Sequence, residues 1–249
     1  MGKPINIQRG YDIRIEGAAE KTVDDLSLSD IIGVKPTDFH TVVPKLLVEV
    51  GDEVLAGQAL FFDKNRPDIR FNSPVSGEIA EIVRGEKRRI LEIRILPDKK
   101  DIRYVSYPVS DPAALSRDEI TERLLESGCW NYIRQRPFSL IANPSDTPKG
   151  IFVSCFDSAP LAPDISYIVD FEKENFQAGL TALQNLSGGR LHLGLRAAPH
   201  AGLTDSDFTG IPVEHIHHFK GPHPAGNVGI QIHHIDPIKK GEVVWYVHP

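Results

Sequence analysis

The spacing of apolar residues changes character near residue 105, and that change limits what the chain can fold into. Over residues 40–96 short runs alternate with a period of two. Leu46, Val48 and Val50 are interleaved with Lys45, Leu47 and Glu49, and Leu91, Ile93 and Ile95 with Glu92 and Arg94. This is the period of half-buried strands. Gly, Pro and Asn-Ser punctuation separates the runs, so this stretch reads as all-β. Beyond residue 105, strand-like runs at 151–154, 191–197, 213–219 and 243–247 are separated by stretches of helical period. Strands alternating with helices predict a mainly parallel sheet with helices on its faces. The chain therefore divides into two domains, 1–104 and 105–249.

The 249 residues, 41% of them hydrophobic, supply enough apolar material for two modest cores. With 28 basic and 34 acidic residues the net charge is -6, which excludes a broad field for nucleic acid. Apolar runs such as Leu46-Leu47-Val48 are broken by charges within a few residues, far short of the ~20 apolar residues that cross a bilayer. The start, Met1-Gly2-Lys3-Pro4, has neither the apolar core nor the cleavage site of a signal peptide, so a cytoplasmic location is expected. Cys129 and Cys155 are too far apart for a Cys-x-x-Cys pair and too few to hold an iron–sulfur cluster.

In the first region, the run from Val48 through Gly51-Asp52 and Gly57-Gln58 to Leu60, followed by Asn72-Ser73-Pro74-Val75-Ser76-Gly77-Glu78-Ile79, resembles the biotinyl/lipoyl-carrier fold, a barrel-sandwich hybrid. Gly51 and Gly57 mark turns, where the absence of Cβ permits positive φ. Carriers of that family present a lysine between methionines at a hairpin tip. Here the hairpin reads Phe62-Asp63-Lys64-Asn65-Arg66-Pro67, with Lys64 early, no flanking methionine, and Arg66-Pro67 expected at the tip. No covalent biotin or lipoate is expected, and the module reads as structural or docking. Arg84, Lys87, Arg88 and Arg89 lie on a turn containing Gly85, read as a solvated hairpin.

In the second region, Ser116-Arg117-Asp118-Glu119 is a capping box, so a helix should begin there and end near Ser127, before Gly128. Phe176, Leu180 and Leu183 share a helical face, and a shorter helix is expected after Pro224, a residue suited to a first turn. Ligands of parallel sheets bind beyond the carboxyl ends of the strands. That rule selects the loops at 155–160, 198–202 and 221–226. His215 and His217 would point to one side of a strand, as a chelate requires, but no cysteine or well-placed carboxylate completes a set. No metal site is expected. Ser158 lacks a Gly-x-Ser-x-Gly elbow, which excludes that route to hydrolysis, and Asp157 reads as a loop cap.

Two further runs carry a specific resemblance. Gly221-Pro222-His223-Pro224-Ala225-Gly226-Asn227-Val228-Gly229 resembles the His-Pro-Ala-Gly segment of the NqrA family, the A subunits of Na+-translocating NADH:quinone reductases. The run from Ser127-Gly128-Cys129-Trp130 to Arg134-Gln135-Arg136-Pro137-Phe138-Ser139 is similar to that family's Ser-Gly-x-Trp-x-x-x-Arg-x-Arg-Pro-Phe-Ser. Matches run in family order from Gly10 to Trp245. The family's chains are longer, so its C-terminal remainder is taken to be missing here. Distant relatives are the C subunit of the Rnf complex and the flavin-binding subunit of complex I. Those place a glycine-rich loop after Ser-Gly, whereas Arg134-Gln135-Arg136-Pro137-Phe138 would crowd a flavin phosphate and remove an amide donor.

The resemblance implies a Rossmann-like second domain in a cytoplasmic subunit, peripheral on the inner face of the bacterial inner membrane through its partner subunits, especially a membrane subunit. It implies electron transfer from NADH to quinone by the assembled, sodium-moving complex. This chain would have no tightly bound cofactor, quinone would be its candidate ligand, and flavins and Fe–S centres would reside in partner subunits. The quinone or altered flavin-pocket candidates are Arg134, Arg136, Phe138, Phe156, Asp157, His223, Pro224 and Gly226; no catalytic, metal or covalently modified residue is assigned. The alternatives are a flavin- or NADH-binding electron-transfer subunit of an Rnf-like complex and a pure assembly scaffold.

Overall fold

The computed structural model describes residues 4–17, 19–197, 208 and 213–249. Its contacts cluster into two units: Val23–Val109 with Thr121–Asn131, and Met1–Thr22 with Ser110–Ile120 and Tyr132–Pro249. A single cut at 104/105 differs from this division in two ways. The N-terminal residues cluster with the second half of the chain, and the boundary also falls inside a helix, after Ile120.

The unit built on Val23–Val109 is all-β over its strands. One sheet contains β2 (Ile32–Val34), β8 (Ile90–Pro97), β7 (Gly77–Arg84) and β4 (Glu53–Val54), in that spatial order. The other contains β3 (Pro44–Leu46), β5 (Ala59–Asp63) and β6 (Arg66–Asn72). All pairings are antiparallel. Alternation sorts Leu60, Ile69, Ile79, Ile93 and Ile95 into the core, each fully buried, and Phe61 stacks on Phe71 with ring centroids 4.5 Å apart. Gly51 and Gly57 turn with φ of +94° and +89°, as the carrier-like pattern requires. The β5–β6 hairpin corrects one expectation. Its tip is Lys64-Asn65, and Arg66-Pro67 already belong to β6. The buried Asp63 carboxylate sets this register by accepting from the Val43 and Asn65 amides and from Arg66 Nε at 3.0 Å.

The other unit is an α/β sheet in the order β1 (Ile5–Asn6), β13 (Ile216–Lys220), β12 (Leu191–Arg196), β11 (Ile151–Ser154), β14 (Val244–Val247), β9 (Arg134–Arg136) and β10 (Leu140–Ile141). Its first five strands run parallel, and β9 and β10 add an antiparallel edge. The strand expected over 213–219 begins with a 3-10 turn, Val213–His215, and extends only from Ile216. Helices are α1 (Arg117–Glu126), α2 (Ile165–Asp170), α3 (Lys173–Leu186) and α4 (Val228–Ile235). Ser116 starts α1 as its sequence predicts: Glu119 N donates to Ser116 Oγ and Ser116 N donates to Glu119 Oε2 at 2.8 Å. α4 starts later than Pro224. Its N-cap is Asn227, whose side chain accepts from Gly229 N, because an Asx side chain satisfies a first-turn amide that proline leaves exposed. α4 packs Val228 and Ile232 onto Phe152, Val244 and Tyr246.

Candidate functional site

The parallel strands end in the loops that the strand-end rule selects, and two of these are locked together. Ser154 Oγ donates to the Gly226 carbonyl at 3.1 Å, Gly226 N donates to Ser158 Oγ at 2.8 Å, and Ser158 Oγ lies 3.1 Å from His223 Nδ1. A Cβ on Gly226 would fall 2.4 Å from Ser158 N, so the 155–160 and 221–226 segments meet only because that residue is glycine. The third loop, 198–202, lies outside the described residues.

By sequence, 134–138 is a bulky replacement for a glycine-rich loop. Its first half is instead the edge strand β9. Gln135 anchors that strand on one face: its Oε1 accepts from the fully buried Trp245 Nε1 at 3.1 Å and from Asn143 N, while its Nε2 donates to Asp146. Alternation then turns Arg134 and Arg136 to the opposite face, the one shared with their register partners Tyr246 and Val244. The Arg136 guanidinium lies over the Tyr246 ring, 5.0 Å from its centroid, and a Cβ on Gly229 would meet Arg136 Nη2 at 3.4 Å. The cation therefore rests against the first turn of α4, the positive end of the helix dipole. Arg136 Nε is buried, and among the described residues it has no hydrogen-bond partner.

The other candidates separate by position. Phe156 is buried in the cluster of Ile7, Phe219 and Ala225, with the Arg196 guanidinium 5.4 Å above its ring, so it packs rather than lines an opening. Asp157 caps its loop by accepting from Ala159 N at 2.8 Å. Phe138 is 79% exposed in the β9–β10 turn. Pro224 joins His223 through a cis peptide bond. Sequence reasoning missed His248, directly after β14. Burial lowers its pKa, the Asp157 charge raises it, and Arg136 lowers it, so these three groups share one electrostatic neighbourhood. Only the fold could reveal it, because no local motif contains it. Arg136 and His248 thus bring a guanidinium and an imidazole to the C-terminal end of β14.

The histidines group differently from the sequence expectation. His192 on β12 stacks on Phe152 with centroids 4.6 Å apart, and its Nδ1 lies 3.1 Å from His217 Nε2; His215 lies beside it, with centroids 4.8 Å apart. Burial, reinforced by neighbouring histidines, pushes both His192 and His217 down to about 4. Among the described residues no group of three or more His, Cys, Asp or Glu is arranged to hold a metal ion. Burial alone pushes the Cys155 thiol up to about 12, leaving it protonated and inert.

A family model described as the NqrA second alpha/beta domain matches residues 115–249, and one described as the NqrA N-terminal barrel-sandwich hybrid domain matches residues 5–98. The chain belongs to the NqrA family. Among its relatives, the A subunit of the Na(+)-translocating NADH-quinone reductase of Pseudomonas aeruginosa strain UCBPP-PA14 is 36% identical over 242 residues, 97% of this chain and 53% of the relative. Its counterpart in Serratia proteamaculans is 36% identical over 247 residues, 98% of this chain and 54% of the relative. The counterpart in Yersinia pseudotuberculosis serotype O:1b is 37% identical over 245 residues, with 98% and 54% coverage. The chain thus spans about half the length of the curated relatives it matches. Among the described residues no helix is long and apolar enough to cross a membrane.

Proposed function

We propose that this NqrA-family chain works as the N-terminal part of the A subunit in a Na+-translocating NADH:quinone reductase. It would sit on the cytoplasmic face of the inner membrane through partner subunits, among them a membrane subunit. Its α/β unit contributes to the quinone side and to assembly of the complex, without a covalent cofactor of its own. NADH oxidation, flavins and Fe–S centres belong to the partner subunits in this reading. A quinone is a flat apolar ring with two carbonyl acceptors, and its site needs N–H donors held at fixed positions beside apolar walls.

The observation that carries the reading is Arg136. Its guanidinium is held over Tyr246 by cation–π attraction, it is placed by a strand that Gln135 pins, and among the described residues nothing accepts from its buried Nε. An electronegative carbonyl held beside the guanidinium would offset the cation at the positive helix end. The test is photolabelling of the assembled reductase with an azido-quinone followed by peptide mapping. Label on peptides containing 134–138, 155–160 or 223–229 supports the quinone role. Label confined to other subunits removes it and leaves the assembly role alone.

A further inference from the structure

In the barrel-sandwich unit, strand β7 is paired with β8 along its length, but its other edge is covered only at the start. Glu53 and Val54 of β4 pair with Glu78 and Gly77, and the cover continues to Ile79, which accepts from Gly51 N and donates to Asp52 O, both at 2.9 Å. The preceding segment then leaves β7 for the other sheet, where Leu47 N donates to Leu60 O at 2.9 Å. Among the described residues no strand pairs with the outer edge of residues 80–84. In a strand paired on one side, alternate residues aim their backbone N–H and C=O groups outward, so this edge presents unused donors and acceptors.

The edge does not face open solvent alone. Where the chain peels away, a groove of about 530 Å³ opens between β7 and segment 46–50, lined by Leu46, Leu47, Glu49, Val50, Ile82 and Arg84. Leu47 and Val50 are 51% and 60% exposed, an unusual placement for aliphatic side chains beside an open strand edge. At its far end the hairpin carries Arg84, Lys87, Arg88 and Arg89, all exposed, with Glu86 the only acid between Arg84 and Ile90. Lys87 and Arg88 adopt φ of +52° and +60°, a left-handed turn in which neither residue is glycine.

We infer that this edge is a strand-addition site for an extended segment of another polypeptide. That segment alternates aliphatic residues, which enter the groove, and ends in acidic residues beside Arg84 and Lys87. Each feature specifies one property of the occupant. The unpaired backbone requires an extended chain, the aliphatic lining requires apolar side chains at every second position, and the basic end requires acids. Glu49 near the opposite end disfavours acids there and so sets the direction. This surface lies within the barrel-sandwich unit.

The test uses the whole 249-residue chain and two end-capped octapeptides of alternating Val and Thr, with an Asp-Asp pair at either terminus. Amide hydrogen exchange and amide chemical shifts are followed by NMR. The site predicts that one of the two peptides slows exchange of alternate amides within 80–84 at least tenfold. The same peptide N-methylated at alternate residues should have no effect, because it cannot complete the ladder. Ile82→Lys and Arg84→Glu should each weaken binding at least tenfold while leaving the circular dichroism spectrum and Tm unchanged. Absence of protection at millimolar peptide, or equal protection by the N-methylated form, overturns the inference. Protection that appears in the protein alone and grows with its concentration also overturns it, since the edge would then be taken by a second copy of this chain.

Discussion

The guanidinium carbon of Arg136 lies 5.0 Å from the centre of the Tyr246 ring, and the same side chain lowers the pKa of His248, two residues beyond that tyrosine. His248 is depressed first by burial; the Asp157 charge opposes that and Arg136 adds to it. Arg136→Ala should therefore raise the His248 titration midpoint, and Asp157→Asn should lower it. Imidazole proton shifts recorded against pH measure both. Two variants that leave the midpoint in place would separate these residues.

Burial of His192 and His217 should make the α/β unit acid-labile. Both rings sit at about 4 in the folded protein against an ordinary 6.5, so between these values the unfolded chain binds protons that the native state refuses. Stability is present in full above about pH 6.5 and falls as pH drops towards 4. His215, His218 and Asp236 also act on this pair, the histidines opposing protonation and the aspartate favouring it. With both rings partly exposed, the loss for the pair is on the order of 2 kcal/mol after allowance for solvent screening. Urea midpoints measured from pH 7 to 4 should fall steeply, and His192→Gln should flatten that dependence. Equal slopes in wild type and variant would contradict the assignment.

Gly226 allows the two strand-end loops to touch. Gly226→Ala places a methyl group 2.4 Å from Ser158 N and 2.8 Å from the Asp157 carbonyl carbon, both backbone atoms that cannot swing aside. The expected cost is about 1–3 kcal/mol in urea denaturation, with loss of the Ser158–His223 contact. A variant as stable as wild type would show that the loops are not clamped.

Ser116→Ala should destabilise the chain by about 1 kcal/mol, because the Glu119 amide then loses its side-chain acceptor at the start of α1. Ser116→Asp, which can still accept, should restore most of it. Thermal unfolding of the pair reads the difference.

How much of the fold is legible in the sequence follows from how local its causes are. The Ser116–Glu119 box, the Phe176–Leu180–Leu183 face within α3 and the glycine turns at 51 and 57 are set by neighbouring residues, and all appear in the fold. β1 is illegible because two residues, Ile5 and Asn6, acquire strand form only by pairing with Phe219 and Lys220. β9 is hidden for the same reason, since Arg134-Gln135-Arg136 has no apolar alternation and depends on β14 for its ladder. α2 escapes sequence reading although Asp164 caps it, because six residues carry too little periodicity. Pro224 suits a helix start, but the Asn227 side chain prevails by capping Gly229 N. Within the site, Arg136, Asp157, His223 and Gly226 stand in recognisable runs, whereas Tyr246 and His248 join them only through the β11–β14 pairing.

A quinone site at the start of α4 is tested most directly by titrating the protein with ubiquinone-1, followed through its backbone amides, in wild type and in Arg136→Ala. Such a site predicts saturable shifts concentrated at Arg136, Val228, Gly229, Tyr246 and His248, abolished by the substitution while the rest of the spectrum is retained. Shifts that never saturate, or that persist unchanged without the Arg136 guanidinium, would contradict it.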